Sequence, residues 1–177
     1  MIGATKGKLY PVIWIEGASC TGCTESFAQV ETPDAASIVL DMISLNYSET
    51  LSAAAGWSME EAKEQTIEAG NYILVYEGAV LEGWGGQALR VADKPGTEHL
   101  IEAAEKANAV VALGSCAVNG GWMGAHPNSA GAWASAVSGE GRHQRSGGKH
   151  PRLPGQPRVA RVGFGGRRPH GQHAARA

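Results

Sequence analysis

Short aliphatic runs that alternate with helical segments constrain the fold of this chain more than any other feature. The runs lie at residues 10–15, 36–43, 72–76 and 109–113, and the helical segments at residues 23–30, 57–69 and 97–107. Strands that alternate with helices predict a parallel sheet covered by helices on both faces. We therefore predict an α/β fold with a doubly wound parallel sheet.

Charge is distributed unevenly along the 177 residues. Residues 1–137 carry six Lys and Arg against sixteen Asp and Glu, a net charge of −10, whereas residues 138–177 carry nine against one, a net charge of +8. Residues 139–177 show neither helical nor strand periodicity, which predicts a disordered or aberrant basic tail. No apolar run approaches the length of a membrane span. We expect no nucleic-acid partner.

The chain contains three cysteines, and all of them follow predicted strands. Cys20 and Cys23 form a CxxC motif after the first run, and Cys116 follows the run at residues 109–113. Because the carboxyl ends of parallel strands line the binding crevice of such a sheet, the three thiols should converge. CxxC alone fits a redox-active dithiol equally well, but the third cysteine favours an iron–sulfur cluster. Such clusters normally take four thiolates, so one ligand is missing.

Several motifs together resemble the small subunit of nickel–iron hydrogenases. In chain order they are Cys20-Thr-Gly-Cys-Thr-Glu-Ser, Glu49-Thr-Leu, Tyr76-Glu-Gly and Gly114-Ser-Cys-Ala-Val-Asn-Gly-Gly. The resemblance runs from about residue 9 to about residue 131. It implies a flavodoxin-like domain over residues 1–135 that carries the proximal 4Fe-4S cluster, and it assigns Cys20, Cys23 and Cys116 as ligands of that cluster.

The resemblance also implies partners and a reaction. The family interconverts H2 with protons and electrons at a nickel–iron centre in a large-subunit partner, and the small subunit passes electrons to a cytochrome or another acceptor. Its full-length members have a second domain with further 3Fe-4S and 4Fe-4S clusters, which is absent here. An electron-transfer subunit of a related non-hydrogenase complex is the alternative, although those relatives tend to use adjacent cysteines.

Further roles follow from the resemblance for residues outside the cysteine set. Glu25 and Glu77 lie where the family places carboxylates near the cluster, which suggests a proton relay; a helix-start acid for Glu25 and a loop hydrogen bond for Glu77 are equally good interpretations. Oxygen-tolerant members carry extra cysteines at the positions of Gly22 and Gly121. The resemblance therefore implies the standard, oxygen-sensitive kind of cluster.

Other polar and aromatic side chains near the motifs have two interpretations each. Glu16, Ser19 and Thr21 are candidates to hydrogen-bond cluster sulfurs and so tune the potential. Trp84 and Trp122 are candidates to anchor a subunit interface, where aromatic residues are enriched, and packing within their own loops is the alternative.

The missing fourth ligand has an explanation in the coding sequence. Residues 150–159 can be encoded so that reading one base later gives Ile-Pro-Gly-Cys-Pro-Ala-Asn-Pro-Glu-Trp, which is the family's fourth cysteine motif. We infer that residues 136–177 are a frame-shifted tail, from a sequencing error or a gene lesion, with the shift between Ala132 and Gly139. An inactive, truncated product is then an alternative for this chain. A gene sequence with no alternative frame across that interval would contradict the inference.

The compartment is predicted in two ways that disagree. The resemblance implies a periplasmic or membrane-associated protein, whereas residues 1–8 contain neither a signal-peptide hydrophobic region nor a twin arginine, which makes the cytoplasm the alternative.

Overall fold

The computed structural model describes residues 9–134 and a strand at residues 158–162. The strands are β1 (Tyr10–Glu16), β2 (Ile43–Ser48), β3 (Ile73–Glu77), β4 (Val80–Leu81), β5 (Arg90–Val91), β6 (Lys94–Pro95), β7 (Ala109–Leu113), β8 (Ala132–Trp133) and β9 (Arg158–Val162). The helices are α1 (Gly22–Ala28), α2 (Ala35–Ser37), α3 (Trp57–Ala69), α4 (Gly83–Gly86), α5 (Gly96–Glu105) and α6 (Gly114–Asn119). None of these helices in the described part of the chain has the length and hydropathy to span a bilayer.

The main sheet has five parallel strands in the order β2-β1-β3-β7-β9. Numbered along the chain, this is the 2-1-3-4-5 order of flavodoxin-like folds, which confirms the predicted fold class. The chain reverses its direction of winding between β1 and β3. In such folds the ligand crevice lies at this switch point, outside the carboxyl ends of the strands.

Helices cover both faces of the sheet. Because successive side chains of a strand point to opposite faces, neighbouring residues of β1 pack against different helices. On one face Ile13 belongs to a core cluster that includes Met59 of α3 and Leu100 of α5. On the other face the ring of Trp14 contacts Phe27 of α1, with the ring centroids 5.4 Å apart. The helices following β1, β2 and β3 therefore hold the sheet from two sides.

The predicted strand at residues 36–43 is wrong. Residues 35–42 form α2 and a π-helical turn, and the strand begins at Ile43. The carboxylate of Asp34 accepts a hydrogen bond from the backbone N–H of Ser37 at 2.6 Å and so starts the helix. Leu40 is 70% exposed, so the apolar run is not a buried strand. A short aliphatic run does not by itself distinguish a strand from a helix.

The prediction of a tail without regular secondary structure is wrong for residues 158–162, which form the strand β9. These residues pair in parallel with β7, with Arg158 opposite Ala109 and Val162 opposite Leu113. The two valines of Arg-Val-Ala-Arg-Val favour a strand, and the edge of β7 offers unpaired backbone groups. Residues 135–157 and 163–177 lie outside the described residues, and the predicted frame shift and domain end fall there.

Candidate metal centre

The three cysteines reach one place from two loops. β3 lies between β1, whose loop carries Cys20 and Cys23, and β7, whose end leads into α6 with Cys116. The two loops touch, because a Cβ atom added at Gly114 would lie only 2.4 Å from the Sγ atom of Cys23. The predicted convergence of the strand ends therefore brings the CxxC loop against the loop that carries the third cysteine.

The sulfurs of the other two cysteines also lie against glycines. A Cβ atom at Gly121 would lie 2.7 Å from the Sγ atom of Cys116, and one at Gly22 would lie 3.1 Å from the Sγ atom of Cys20. Gly121 has a φ of +56°, which favours glycine in any case. The sulfurs of Cys23 and Cys116 thus occupy space that a side chain at Gly114 or Gly121 would need, whereas the contact of Cys20 with Gly22 is tight but needs only a small shift.

The thiols interact electrostatically with each other and with a carboxylate. Burial raises the pKa of Cys23, and the charges of Glu77, Cys20 and Cys116 raise it further. Burial also raises the pKa of Cys116, as does the charge of Cys20, while a hydrogen bond from Ser115 lowers it.

Glu77, at the carboxyl end of β3, holds the beginning of α1. Its Oε1 atom accepts a hydrogen bond from the backbone N–H of Cys23 at 3.1 Å. Its Oε2 atom accepts from the backbone N–H of Thr24 at 3.0 Å and from the Thr24 hydroxyl at 2.6 Å. Glu77 is 2% exposed. The first N–H groups of a helix have no acceptor within the helix, and here the carboxylate of Glu77, on the central strand, is the acceptor for two of them.

Backbone pairing continues beyond the ends of β1 and β3. The N–H of Gly17 donates to the Glu77 carbonyl at 2.7 Å, and Ala18 and Ala79 exchange two hydrogen bonds of 2.9 Å each. A Cβ atom at Gly17 would lie 2.1 Å from the Oη atom of Tyr76, so the loop packs directly on that side chain. The chain is therefore fixed to β3 up to two residues before Cys20.

The loop hydroxyls predicted to reach cluster sulfurs bond to a carboxylate. Ser19 and Thr21 donate to the Glu16 Oε2 atom at 3.4 and 3.0 Å, and the hydroxyl of Thr50 donates to the Glu16 Oε1 atom. Hydrogen bonds from these hydroxyls to sulfur stay a prediction. Thr50 belongs to the Glu49-Thr-Leu motif, but no role was predicted for it, since it lies on the loop after β2 and forms no local pattern with Cys20.

The remaining predicted residues lie at the surface. Glu25 is exposed in the first turn of α1. Trp84 and Trp122 are 71% and 75% exposed, and Trp84 has a left-handed φ of 53° in the Gly83–Gly86 turn. Neither tryptophan packs into the core, which leaves both rings available at the surface.

A second polar cluster, which sequence reasoning missed, lies between α3, α5 and the end of β2. Tyr47 Oη lies 3.0 Å from Glu60 Oε1 and 3.3 Å from Glu49 Oε1. Lys63 pairs with Glu60, and its Nζ atom lies 2.9 Å from Nδ1 of His99. Burial of the Glu49 carboxyl raises its pKa to about 7, although other atoms of this residue are exposed. Glu60 and Lys63 are three residues apart on α3, but the other members come from separate elements and show no spacing that a sequence reveals.

The cysteine set fits a cluster better than a single ion. Among the described residues, no three His, Cys, Asp or Glu side chains stand close enough together to bind one metal ion. Thiolates are the ligands that iron–sulfur clusters take from proteins, and Cys20, Cys23 and Cys116 are free thiols that could supply three of them.

Comparison with known families identifies the class of this protein. Residues 20–157 match the family described as the 20 Kd subunit of NADH ubiquinone oxidoreductase, and the chain belongs to that family. This match covers more than half of the chain and includes the residues from Cys20 to beyond Cys116.

Within that family, the similar proteins are small subunits of nickel–iron hydrogenases, as the motifs predicted. The hydrogenase-2 small chain of Escherichia coli (strain K12) is 44% identical over 124 residues, which are 69% of this chain and 33% of the relative. The periplasmic [NiFe] hydrogenase small subunit of Solidesulfovibrio fructosivorans is 42% identical over 118 residues, which are 66% of this chain and 38% of the relative. The chain spans about a third of the length of these relatives.

A solved structure shows the same fold. A recombinant [NiFeSe] hydrogenase from Desulfovibrio vulgaris Hildenborough superposes with a TM-score of 0.75 at 26% identity, over 91% of this chain and 56% of the other. A reduced nickel–iron–selenium hydrogenase from Desulfomicrobium baculatum gives a TM-score of 0.68 at 31% identity, over 72% and 50%. The predicted resemblance is confirmed by sequence and by structure.

Proposed function

We propose that this chain is the electron-carrying, proximal-cluster part of a nickel–iron hydrogenase small subunit. The observation that carries the proposal is the convergence of Cys20, Cys23 and Cys116 from two strand ends, each with its sulfur against a glycine. Thiolates are the ligands that iron–sulfur clusters take from proteins. Similarity to hydrogenase small subunits supports the same role.

The residues of the chain bind and position the cluster rather than carry out bond chemistry. When bound, a 4Fe-4S cluster accepts and releases single electrons. Cys20, Cys23 and Cys116 would bind it, and Glu77 fixes the start of α1 beside it. Cleavage and formation of H2 would take place at the nickel–iron centre of a large-subunit partner, and electrons would leave to a cytochrome or another acceptor. Relatives named as periplasmic support a periplasmic or membrane-associated location.

The fourth thiolate would come from the restored reading frame. The codon for it straddles Leu153 and Pro154, and restoring the frame also restores the family's Gly-Cys-Pro-x-Asn-Pro motif. Because oxygen-tolerant members of the family carry cysteines at the positions of Gly22 and Gly121, the two glycines here favour the standard, oxygen-sensitive kind of site.

The test compares the 177-residue chain with the frame-restored chain after anaerobic incubation with iron, sulfide and a thiol reductant. We expect iron and sulfide to be bound stoichiometrically by the restored chain and poorly by the 177-residue chain. Cys116→Ser in the restored chain should abolish uptake, whereas Ser58→Ala, at an exposed position of α3, should leave uptake unchanged. A restored chain that binds no iron but shows a reversible Cys20–Cys23 disulfide would instead support a dithiol protein.

A further inference from the structure

Glu77 makes more contacts with the cysteine loop than a simple loop hydrogen bond requires. Its two carboxylate oxygens accept from three donors, the N–H groups of Cys23 and Thr24 and the Thr24 hydroxyl, at 2.6 to 3.1 Å. All three partners are donors, and both carboxylate oxygens of Glu77 accept from them. Glu77 and Thr24 are 2% and 1% exposed, so water does not compete for these bonds.

The position of Glu77 in the sheet places its charge between the two cysteine loops. In the sheet register Glu77 stands opposite Glu16 at the end of β1 and opposite Leu113 at the end of β7. These are the strands that lead to the CxxC motif and to Cys116. The carboxylate of Glu77 lies 3.1 Å from the backbone nitrogen of Cys23, which fixes its charge beside the CxxC motif.

The helix start that would otherwise favour an anionic ligand is already bound to this carboxylate. Helix N-termini stabilise negative charge through their free N–H groups and their dipole. In α1 the N–H groups of Cys23 and Thr24 point to Glu77, and among the described residues no N-cap side chain contributes. Thr21, at the N-cap, has a left-handed φ of 62° instead. A fixed negative charge therefore offsets the stabilisation that this helix start could give to thiolates.

We propose that Glu77 is a positioning residue that fixes Cys23 by capping α1 and, by its charge, opposes the addition of an electron at the cysteine site. The inference rests on the proposed function for its second part, since an electron is added only to a bound cluster. A carboxylate whose two oxygens are fully occupied by these donors is held in place, which is what electrostatic tuning of a site requires.

Two substitutions at Glu77 separate the geometry from the charge. Glu77→Gln keeps the length of the side chain and removes the charge, whereas Glu77→Asp keeps the charge and is one methylene too short to reach the same donors. Glu68→Gln is the control, because it removes an exposed charge from α3, away from the cysteine loops. Hydrogen exchange of the Cys23 and Thr24 amides is measured on the 177-residue chain, and the midpoint potential on the cluster-loaded, frame-restored chain.

We expect both Glu77 variants to exchange these two amides about tenfold faster than Glu68→Gln does. We expect Glu77→Gln alone to shift the equilibrium toward the reduced site about tenfold at fixed potential, which is 59 mV for one electron. Equal potentials in Glu77→Gln and Glu68→Gln would overturn the charge effect, and unchanged exchange would overturn the capping. A restored chain that takes up no cluster overturns the proposed function and the charge effect with it, while exchange still decides the capping.

Discussion

Replacing Gly114 by alanine should damage the cysteine site through two separate costs. Gly114 has a φ of +78°, and a left-handed alanine costs about 1–2 kcal/mol. Its Cβ atom would lie 2.4 Å from Cys23 Sγ, whereas ordinary contact begins at 3.4 Å, so the sulfur must move by about 1 Å. Overpacking of this kind costs about 1–3 kcal/mol. The free energy of unfolding should therefore fall by about 2–5 kcal/mol.

Gly85→Ala isolates the first cost. Gly85 has φ and ψ of 67° and 36°, and an added Cβ atom would meet nothing within 4 Å, so this variant should lose about 1–2 kcal/mol. Urea unfolding of both variants measures the difference. Iron and sulfide uptake by the frame-restored chain should fall in Gly114→Ala and stay normal in Gly85→Ala. If Gly114→Ala and Gly85→Ala lost the same stability and bound the same amount of iron and sulfide, the Cys23 side chain would have shifted without cost, and the assigned contact would be refuted.

Three further substitutions test the remaining packing and charge assignments by urea unfolding. Folding raises the pKa of Glu49 from 4.5 to about 7, so proton binding by this carboxyl stabilises the folded protein below about pH 4.5, and this stabilisation is lost as the pH rises through 7. Glu49→Gln should therefore weaken the dependence of the free energy of unfolding on pH between these values, and an unchanged dependence would contradict the assignment. Lys63→Met removes the cation that pairs with Glu60 and should lower the free energy of unfolding by about 1–3 kcal/mol. Lys63→Arg keeps the charge and should lower it less, and equal losses in the two variants would mean that the packing of the side chain, not its charge, matters. Tyr72→Phe leaves a buried backbone carbonyl without its hydroxyl donor and should cost about 1–3 kcal/mol; no loss would mean that the bond contributes nothing.

The position of the three cysteines was predictable because it depends on strand ends. Cys20 and Cys116 each follow a run that forms a parallel strand, and parallel strands bring their carboxyl ends together. The register that places Glu77 between those strands, and the three hydrogen bonds it accepts, depend on contacts over more than thirty residues of sequence. Local patterns contain no signal for contacts of that range.

The errors of the sequence prediction have local causes that a pattern of apolar residues does not register. The run at residues 36–43 was assigned to a strand because it is aliphatic, yet the side chain of Asp34 starts a helix there and Leu40 faces solvent. The strand at residues 158–162 was missed because its arginines hide the alternation, and pairing with β7 supplies what the sequence lacks. In both places a specific partner, rather than average hydropathy, decides the conformation.

The bonds that continue from the sheet into the cysteine loop also limit how far the site can relax. Gly17 and Ala18 remain paired with Glu77 and Ala79 after β1 has ended, and Gly17 leaves no gap to the ring of Tyr76. Close-packed and bonded backbone of this kind moves little when a nearby charge changes. A loop that does not rearrange would keep the reorganisation energy of electron exchange small. The rigid attachment of the loop to the sheet would thereby favour fast electron transfer without a large driving force.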